Sequence, residues 1–502
     1  MLLLPAIALT SCGSNSHSQS FTGGDDATAP GDGGADGGDD SSPLSDAGGD
    51  ACGHTVCSGA CVDTSSSLSN CGKCGHACVG HDVCTAGKCT STCLAAQTDC
   101  SGNCVDTSSD PSDCGGCGKA CGTGKVCSAS ACHAPGTVVY SVPMVASNGA
   151  PALDAQGNVY TVGIDGLVRK LDPTGMVLWA STTSVGAGHA NYYNWGGVAL
   201  GVKQLYVGGP DGDLYSFDMT GKFLWKVPVG GDLTFVTPAV GGAMLGGAII
   251  AGGGNSTTAV VAVDPSGMVK WTYTLGGAAY ASSPAIAKDG TTYVATWGDA
   301  NLYAIDTTGH LRWKSSNGGG AVTSSAIGHD GTIYVGNHAP SDGIFRAFKP
   351  DGTEKWRYTV GNFHGGAALD GEDTVYIGND TMLVALTLTG ALKWQVSAGT
   401  LPIVNSGEHW VCGNNAVGDD NLVYVPVCGS DSLSVFEPVL GKLLYEVQLD
   451  GFPGPVTIGQ DGLLYVGTTA GTFYALAVSA HGLSATSSWP KHHRDRSNTG
   501  QE

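Results

Sequence analysis

The sequence is poor in charge, and poorest in positive charge. Only 13% of its 502 residues are charged, and 22 Lys and Arg face 43 Asp and Glu, a formal net charge of −21. Neutralising a phosphate backbone needs clustered basic side chains. No run of them occurs before the extreme C-terminus, so nucleic acid is excluded as the expected partner. Long apolar runs are missing too. Beyond the short segment 1–8 (MLLLPAIA), nothing approaches the roughly eighteen apolar residues that span a bilayer. No two cysteines are adjacent, and neither Cys-x2-Cys pair is followed directly by His, which excludes covalent haem.

What the chain does have is glycine and cysteine. Its 80 Gly have no collagen period, so they signal tight turns, disorder or both. The 19 Cys are unevenly placed: Cys12 stands alone, sixteen lie between Cys52 and Cys132, and Cys412 and Cys428 remain. Such density fits an oxidising compartment. Residues 1–11 read as a lipoprotein signal peptide, because Leu9-Thr10-Ser11-Cys12 resembles a bacterial lipobox whose Cys12 would carry the lipid. The expected location is the bacterial cell envelope, as an outer-membrane or cell-surface lipoprotein held to the membrane by its lipid alone. Residues 12–50 form a Gly/Asp-rich linker with almost nothing to bury. Their Asp spacing matches neither an EF-hand nor a calcium β-roll.

Two copies of one cysteine framework follow, at 51–92 and 93–133. The first holds Cys52, Cys57, Cys61, Cys71, Cys74, Cys78, Cys84 and Cys89; the second Cys93, Cys100, Cys104, Cys114, Cys117, Cys121, Cys127 and Cys132. After the first interval, the spacings are identical: three, nine, two, three, five and four intervening residues. With few large apolar residues, each copy depends on covalent staples worth about 2–4 kcal/mol apiece. Eight cysteines allow about 105 pairings, and the spacing does not choose among them. Zinc at Cys71-x2-Cys74 and Cys114-x2-Cys117 is the alternative to disulfides. The CVD…NCGxCGxxC core at Cys61–Cys78 and Cys104–Cys121 resembles the stigma-specific cysteine-rich (Stig-type) family.

From residue 136 to 502 a repeat of about 40–50 residues takes over. Gly-x-x-Tyr strands recur at Tyr160, Tyr293 and Tyr334, with looser copies ending at Tyr206, Ile250, Tyr376, Tyr424 and Tyr465. Each leads through an alternating strand to an Asp-x-x-Gly-type turn and an aromatic four residues after the Gly: Trp179, Trp225, Trp271, Trp313, Trp356, Trp394 and Tyr445. Alternation buries one face of each strand. The turn Asp caps amides while its Gly supplies positive φ, and the ring can fill the space between neighbouring sheets. Gly136-Thr-Val-Val-Tyr140 imitates only the last strand, so it can complete the final blade, with Tyr140 in the Trp place. The reading is an all-β β-propeller of eight blades, seven being the alternative.

The repeats resemble the tryptophan-docking motif of quinoprotein (PQQ-like) propellers. The tail Trp489-Pro490…Asp495…Thr499-Gly500 is similar to that family's closing segment. Quinoprotein enzymes hold PQQ with calcium, using an adjacent cysteine pair and Glu, Asn and Asp ligands. None of these can be placed on matching positions here, and Asp172, Asp218, Asp264 and Asp306 recur as turn residues. No cofactor, metal or catalytic residue is therefore expected. The preferred function is a non-catalytic propeller displayed for protein or glycan binding, and the alternative is a PQQ-dependent periplasmic oxidoreductase. Tyr192, Tyr193, Trp195, Trp297, His409 and Trp410 fall outside the repeat and are the candidate ligand-loop residues. Cys412 and Cys428 flank a blade-seven insertion, as a disulfide staple or a redox pair. His492, His493, Arg494 and Arg496 could suggest a metal or anion site, but their place in the closing motif favours a structural role.

Overall fold

The computed structural model describes residues 55–502 apart from 58–59, 66, 68, 79–82, 91–92, 94–96, 145–148, 184–195, 253–257, 280–281, 322–323, 339–342, 362–364, 380, 403–410 and 412–413. The lipobox at Cys12, the linker and Cys52 lie outside these residues.

Eight four-stranded antiparallel sheets follow one another along the chain. Blades 1 to 7 span residues 152–182, 199–228, 239–274, 285–316, 326–359, 368–397 and 416–448. Blade 8 takes three strands from 457–477 and its outer strand from Val138–Pro143, with Tyr140 opposite Ala475. The ring is thus an eight-bladed β-propeller closed by pairing its first strand with its last.

The aromatic and the turn Gly that the repeat spaces four apart meet partners in different blades. Trp179 lies over Gly221, Trp225 over Gly267, Trp271 over Gly309, Trp313 over Gly352, Trp356 over Gly390 and Trp394 over Gly441, each on the turn of the next blade. A Cβ on Gly352, whose φ is +87°, would stand 2.6 Å from the Trp313 ring. Each indole N–H also donates to a carbonyl beside that Gly, as Trp313 Nε1 does to Pro350 O at 2.8 Å and Trp394 Nε1 to Pro438 O at 2.8 Å. Tyr445 against Gly136 and Tyr140 against Gly175 make the last two contacts of the circuit. The turn Asp behaves as its spacing implies. Asp306 Oδ1 accepts from Thr308 N and His310 N, and bonds of this kind hold its carboxyl below the usual range.

One expectation needs correcting. Alternation was read as burying one face of every strand, but the second and third strands of most blades are buried on both faces; only the outer strands alternate. Each sheet packs against two neighbours, so strands near the axis have no wet side. In every blade the outer strand carries a β-bulge next to the docking aromatic, adding twist where the rings interleave.

The cysteine modules are hairpins tied by disulfides. In the second, Cys93 pairs with Cys104, Cys100 with Cys117, Cys114 with Cys127 and Cys121 with Cys132. In the first, Cys57–Cys74, Cys71–Cys84 and Cys78–Cys89 repeat that order. The side chain of Cys61 lies outside what is described. A parallel bridge between Cys84 and Asn103 joins hairpins of the two modules into one sheet. Among the described residues no helix is long and apolar enough to cross a membrane.

Candidate functional site

The strand order gives the ring two unlike ends. In each antiparallel blade the first-to-second and third-to-fourth turns leave at one end. The second-to-third loops and the connections to the next blade leave at the other.

The turn end is taken up by the chain itself. The second cysteine module rests on blade 8: Ala129 N donates to Asp461 O at 2.8 Å, and the His481 ring nitrogen Nε2 lies 3.3 Å from Cys127 O. Burial pushes the Asp461 carboxyl up, and its side chain accepts from Tyr465 Oη at 2.6 Å. The C-terminal tail then runs round the inner edges of the blades. Inner-strand amides of Leu153, Leu200, Val240, Ile286, Leu369 and Val417 donate to carbonyls of Arg496, Ser497, Thr499, Gly500, Trp489 and Pro490, so six blades have their axial edge capped by one segment. Unpaired strand edges are costly when buried, which explains why a short polar tail is so deeply held.

Within that tail Lys491 is fully buried, with Nζ donating to His492 O at 2.7 Å, Asp495 O at 3.1 Å and the Asn498 side-chain carbonyl. Burial pulls its ammonium down to about 7, opposed by the charge of the nearby Asp495 carboxylate. Asn498 donates to Ala150 O and Val198 O, tying the tail to blades 1 and 2. His492 lies beside Thr237 of blade 3, Nε2 to Oγ1 3.4 Å, and near Gly366 of blade 6. Thr237 belongs to a relay in which Gly197 N donates to Thr237 Oγ1, Thr237 N to Ser283 Oγ and Ser283 N to Ser324 Oγ. His493 is buried and pushed down to about 3 by loss of hydration, and His492 is driven well below its ordinary value for the same reason.

At the loop end Trp297 sits between the second and third strands of blade 4. It is 44% exposed, and its ring is 5.6 Å from that of His338 on the equivalent loop of blade 5. A Cβ on Gly320 would stand 2.6 Å from the indole, so glycine there lets the ring lie on the backbone. Asp299 braces the loop. Burial pushes its carboxyl up, but bonds from Thr296, Tyr303 and Asn301 prevail and hold it below the ordinary range. Of the other candidate loop residues, Tyr192, Tyr193, Trp195, His409 and Trp410 lie outside the described residues.

Among the described residues, the clustered cysteines offer no thiolate to a metal. Sulfurs of Cys71, Cys78 and Cys89, and of Cys114, Cys121 and Cys127, cluster within 4.8 Å, but every one is in a disulfide. Cys428 is also disulfide-bonded, and Cys412, its expected partner, lies outside the described residues. Sequence reasoning did not find Lys491, Asn498 or the Asp461 contact, since their meaning depends on neighbours distant in the chain.

The fold therefore defines an eight-bladed propeller of Trp-docked repeats carrying a disulfide-rich N-terminal region. The family described as outer membrane protein assembly factor BamB matches residues 123–283, 164–314 and 256–479, and the chain belongs to it. The stigma-specific STIG1-like family matches residues 85–135. No curated protein matches the chain. Among solved structures it is similar to BamB from Moraxella catarrhalis, with 15% identity and a TM-score of 0.52 over 68% of this chain and 99% of that one. Quinohemoprotein alcohol dehydrogenase from Comamonas testosteroni gives 15% identity and 0.51 over 68% and 76%. The computationally designed Ika8 protein gives 13% and 0.52 over 68% and 99%. At such identities these likenesses speak for the fold alone, one that serves enzymes and non-enzymes alike.

Proposed function

We propose that the chain is an exported, lipid-anchored binding protein, with Cys12 as the anchor and the loop end of the propeller as the surface that meets a protein or glycan partner. The observation that carries this reading is the polarity of the ring. The turn end is engaged by the tail and the second cysteine module, whereas Trp297 and His338 present an aromatic pair on loops between rigid strands at the opposite end. Exposed aromatics held at little entropic cost are what recognition surfaces use. The disulfides fit an extracytoplasmic compartment, and the matched family's description names an assembly factor, in keeping with a protein-contacting role.

The quinoprotein alternative fits the residues less well. The groups the tail gathers at the axis include two low-pKa imidazoles and a buried lysine that already engages the Asn498 and Asp495 oxygens. Calcium takes carboxylate and carbonyl oxygens, and a buried ammonium nearby would repel it.

The test is a photo-crosslinking residue placed at His338, with Met268, exposed on an outer edge, as control. Crosslinks to a defined partner from position 338, lost in Trp297→Ala and absent from position 268, support the reading. Equal labelling from both positions opposes it.

A further inference from the structure

We propose that a cavity at the turn end of the ring axis is a carboxylate-binding site built by Arg494 and Arg496. The cavity is about 370 Å³, and its walls include Ile458, Gln460, His481, Leu483 and the two arginines. That volume lies in the range of small-ligand sites, roughly 300–1,000 Å³. It belongs to the opposite end from Trp297, so it stands or falls independently of the loop-end reading.

The chain leaves both guanidiniums under-used. The Arg496 carbonyl accepts from Leu153 N, but among the described residues its guanidinium has no hydrogen bond or ion pair. Arg494 has a buried Nε without a partner, and its Nη1 comes only to 3.6 Å from Asp495 Oδ2. Asp495 has little left to offer, because its oxygens already accept from Ser497 N, Thr499 N and Thr499 Oγ1. The other carboxylate in the wall, Asp419, accepts from His481 N at 2.8 Å, and burial pushes it towards the neutral form.

Two under-used guanidiniums lining one hollow offer the forked donors that a carboxylate takes as paired N–H bonds. Ile458 and Leu483 supply an apolar wall for the rest of the ligand. The backbone is also strained here: His493 and Arg494 both occupy the left-handed region, at φ 57° and 69°. Strain of that kind persists where surrounding structure enforces it, often at ligand sites. In a chain of net charge −21, two arginines lining one hollow offset the repulsion an anion meets elsewhere. The ligand class is a carboxylate on a small body, either a free organic acid or the C-terminus of an extended peptide.

Isothermal titration of the full disulfide-bonded chain with succinate, with an N-acetyl tripeptide acid and with the corresponding amide tests this. Saturable binding of succinate, of the peptide acid or of both supports the site and tells the two sources apart. Arg496→Gln should weaken it by roughly tenfold or more, as loss of a charge-assisted bidentate contact does, with Arg496→Lys recovering only part. Lys222→Gln, on an exposed turn, should leave it unchanged. The Arg496→Gln melting temperature should match wild type, because the backbone bond to Leu153 remains. No saturable carboxylate binding, an amide that binds as well as the acid, or an undiminished Arg496→Gln affinity would each overturn the proposal.

Discussion

At the scale of single residues, the ring is held by a repeated handshake between an aromatic and the glycine of the next blade. Trp313→Ala should cost about 3 kcal/mol by losing the ring's packing. Gly352→Ala should cost about 2 kcal/mol or more, through its positive φ and its clash with the same ring. Urea unfolding of both single variants and the double variant checks this: the double should cost less than the sum, because both changes abolish one contact. The two buried imidazoles make a separate prediction. Their folded pKa values are depressed, so below about 6.5 the unfolded chain takes up protons that the native one does not. Stability should therefore fall as pH drops below about 6.5, with His493 alone accounting for about 2 kcal/mol at pH 5 and His492 acting in the same direction. Replacing His493 with Gln should flatten the fall in stability between pH 7 and 5, and an unchanged slope would contradict the assignment. The docking aromatics were legible in the sequence because they repeat. Lys491 and Asn498 were not, because each occurs once and its partners come from blades 1 and 2 and from the tail's own fold.

At the scale of elements, closure is shared between Val138–Pro143, which completes blade 8, and the tail, which caps six inner strands. Truncation after Ser488 should leave those amides unpaired and broaden the unfolding transition of the propeller. A truncated chain that melts as sharply and at the same temperature would show that the tail is dispensable. The blade count could be read from the eight recurring Tyr-type strands, and the role of the opening strand around Tyr140 from its likeness to the Gly-x-x-x-Trp strand. The burial of middle strands on both faces could not, since it depends on each sheet having two neighbours. Nor could the disulfide order, because identical spacings say that two modules pair alike without saying how. Reduction should release the modules and open the Cys428 disulfide but leave the ring folded, since its apolar cores run continuously between neighbouring blades. Proteolysis in reductant should therefore cut within residues 55–133 and leave 138–502 intact, and a propeller degraded at the same rate would contradict that independence.

At the scale of the whole molecule, the two ends of the ring divide the work. One end is engaged by the tail and the cysteine modules and carries the arginine-lined cavity; the other presents Trp297. Sequence alone marked Trp297 as lying outside the repeat, but the separation of ends emerges only once the antiparallel order places turns and loops apart. The proposed function is binding without catalysis. Its most direct test is an absorbance titration of the intact chain with PQQ and calcium, followed by dye-linked alcohol and sugar oxidation. The account predicts no stoichiometric uptake of the quinone and no turnover; one equivalent bound with substrate-dependent dye reduction would contradict it.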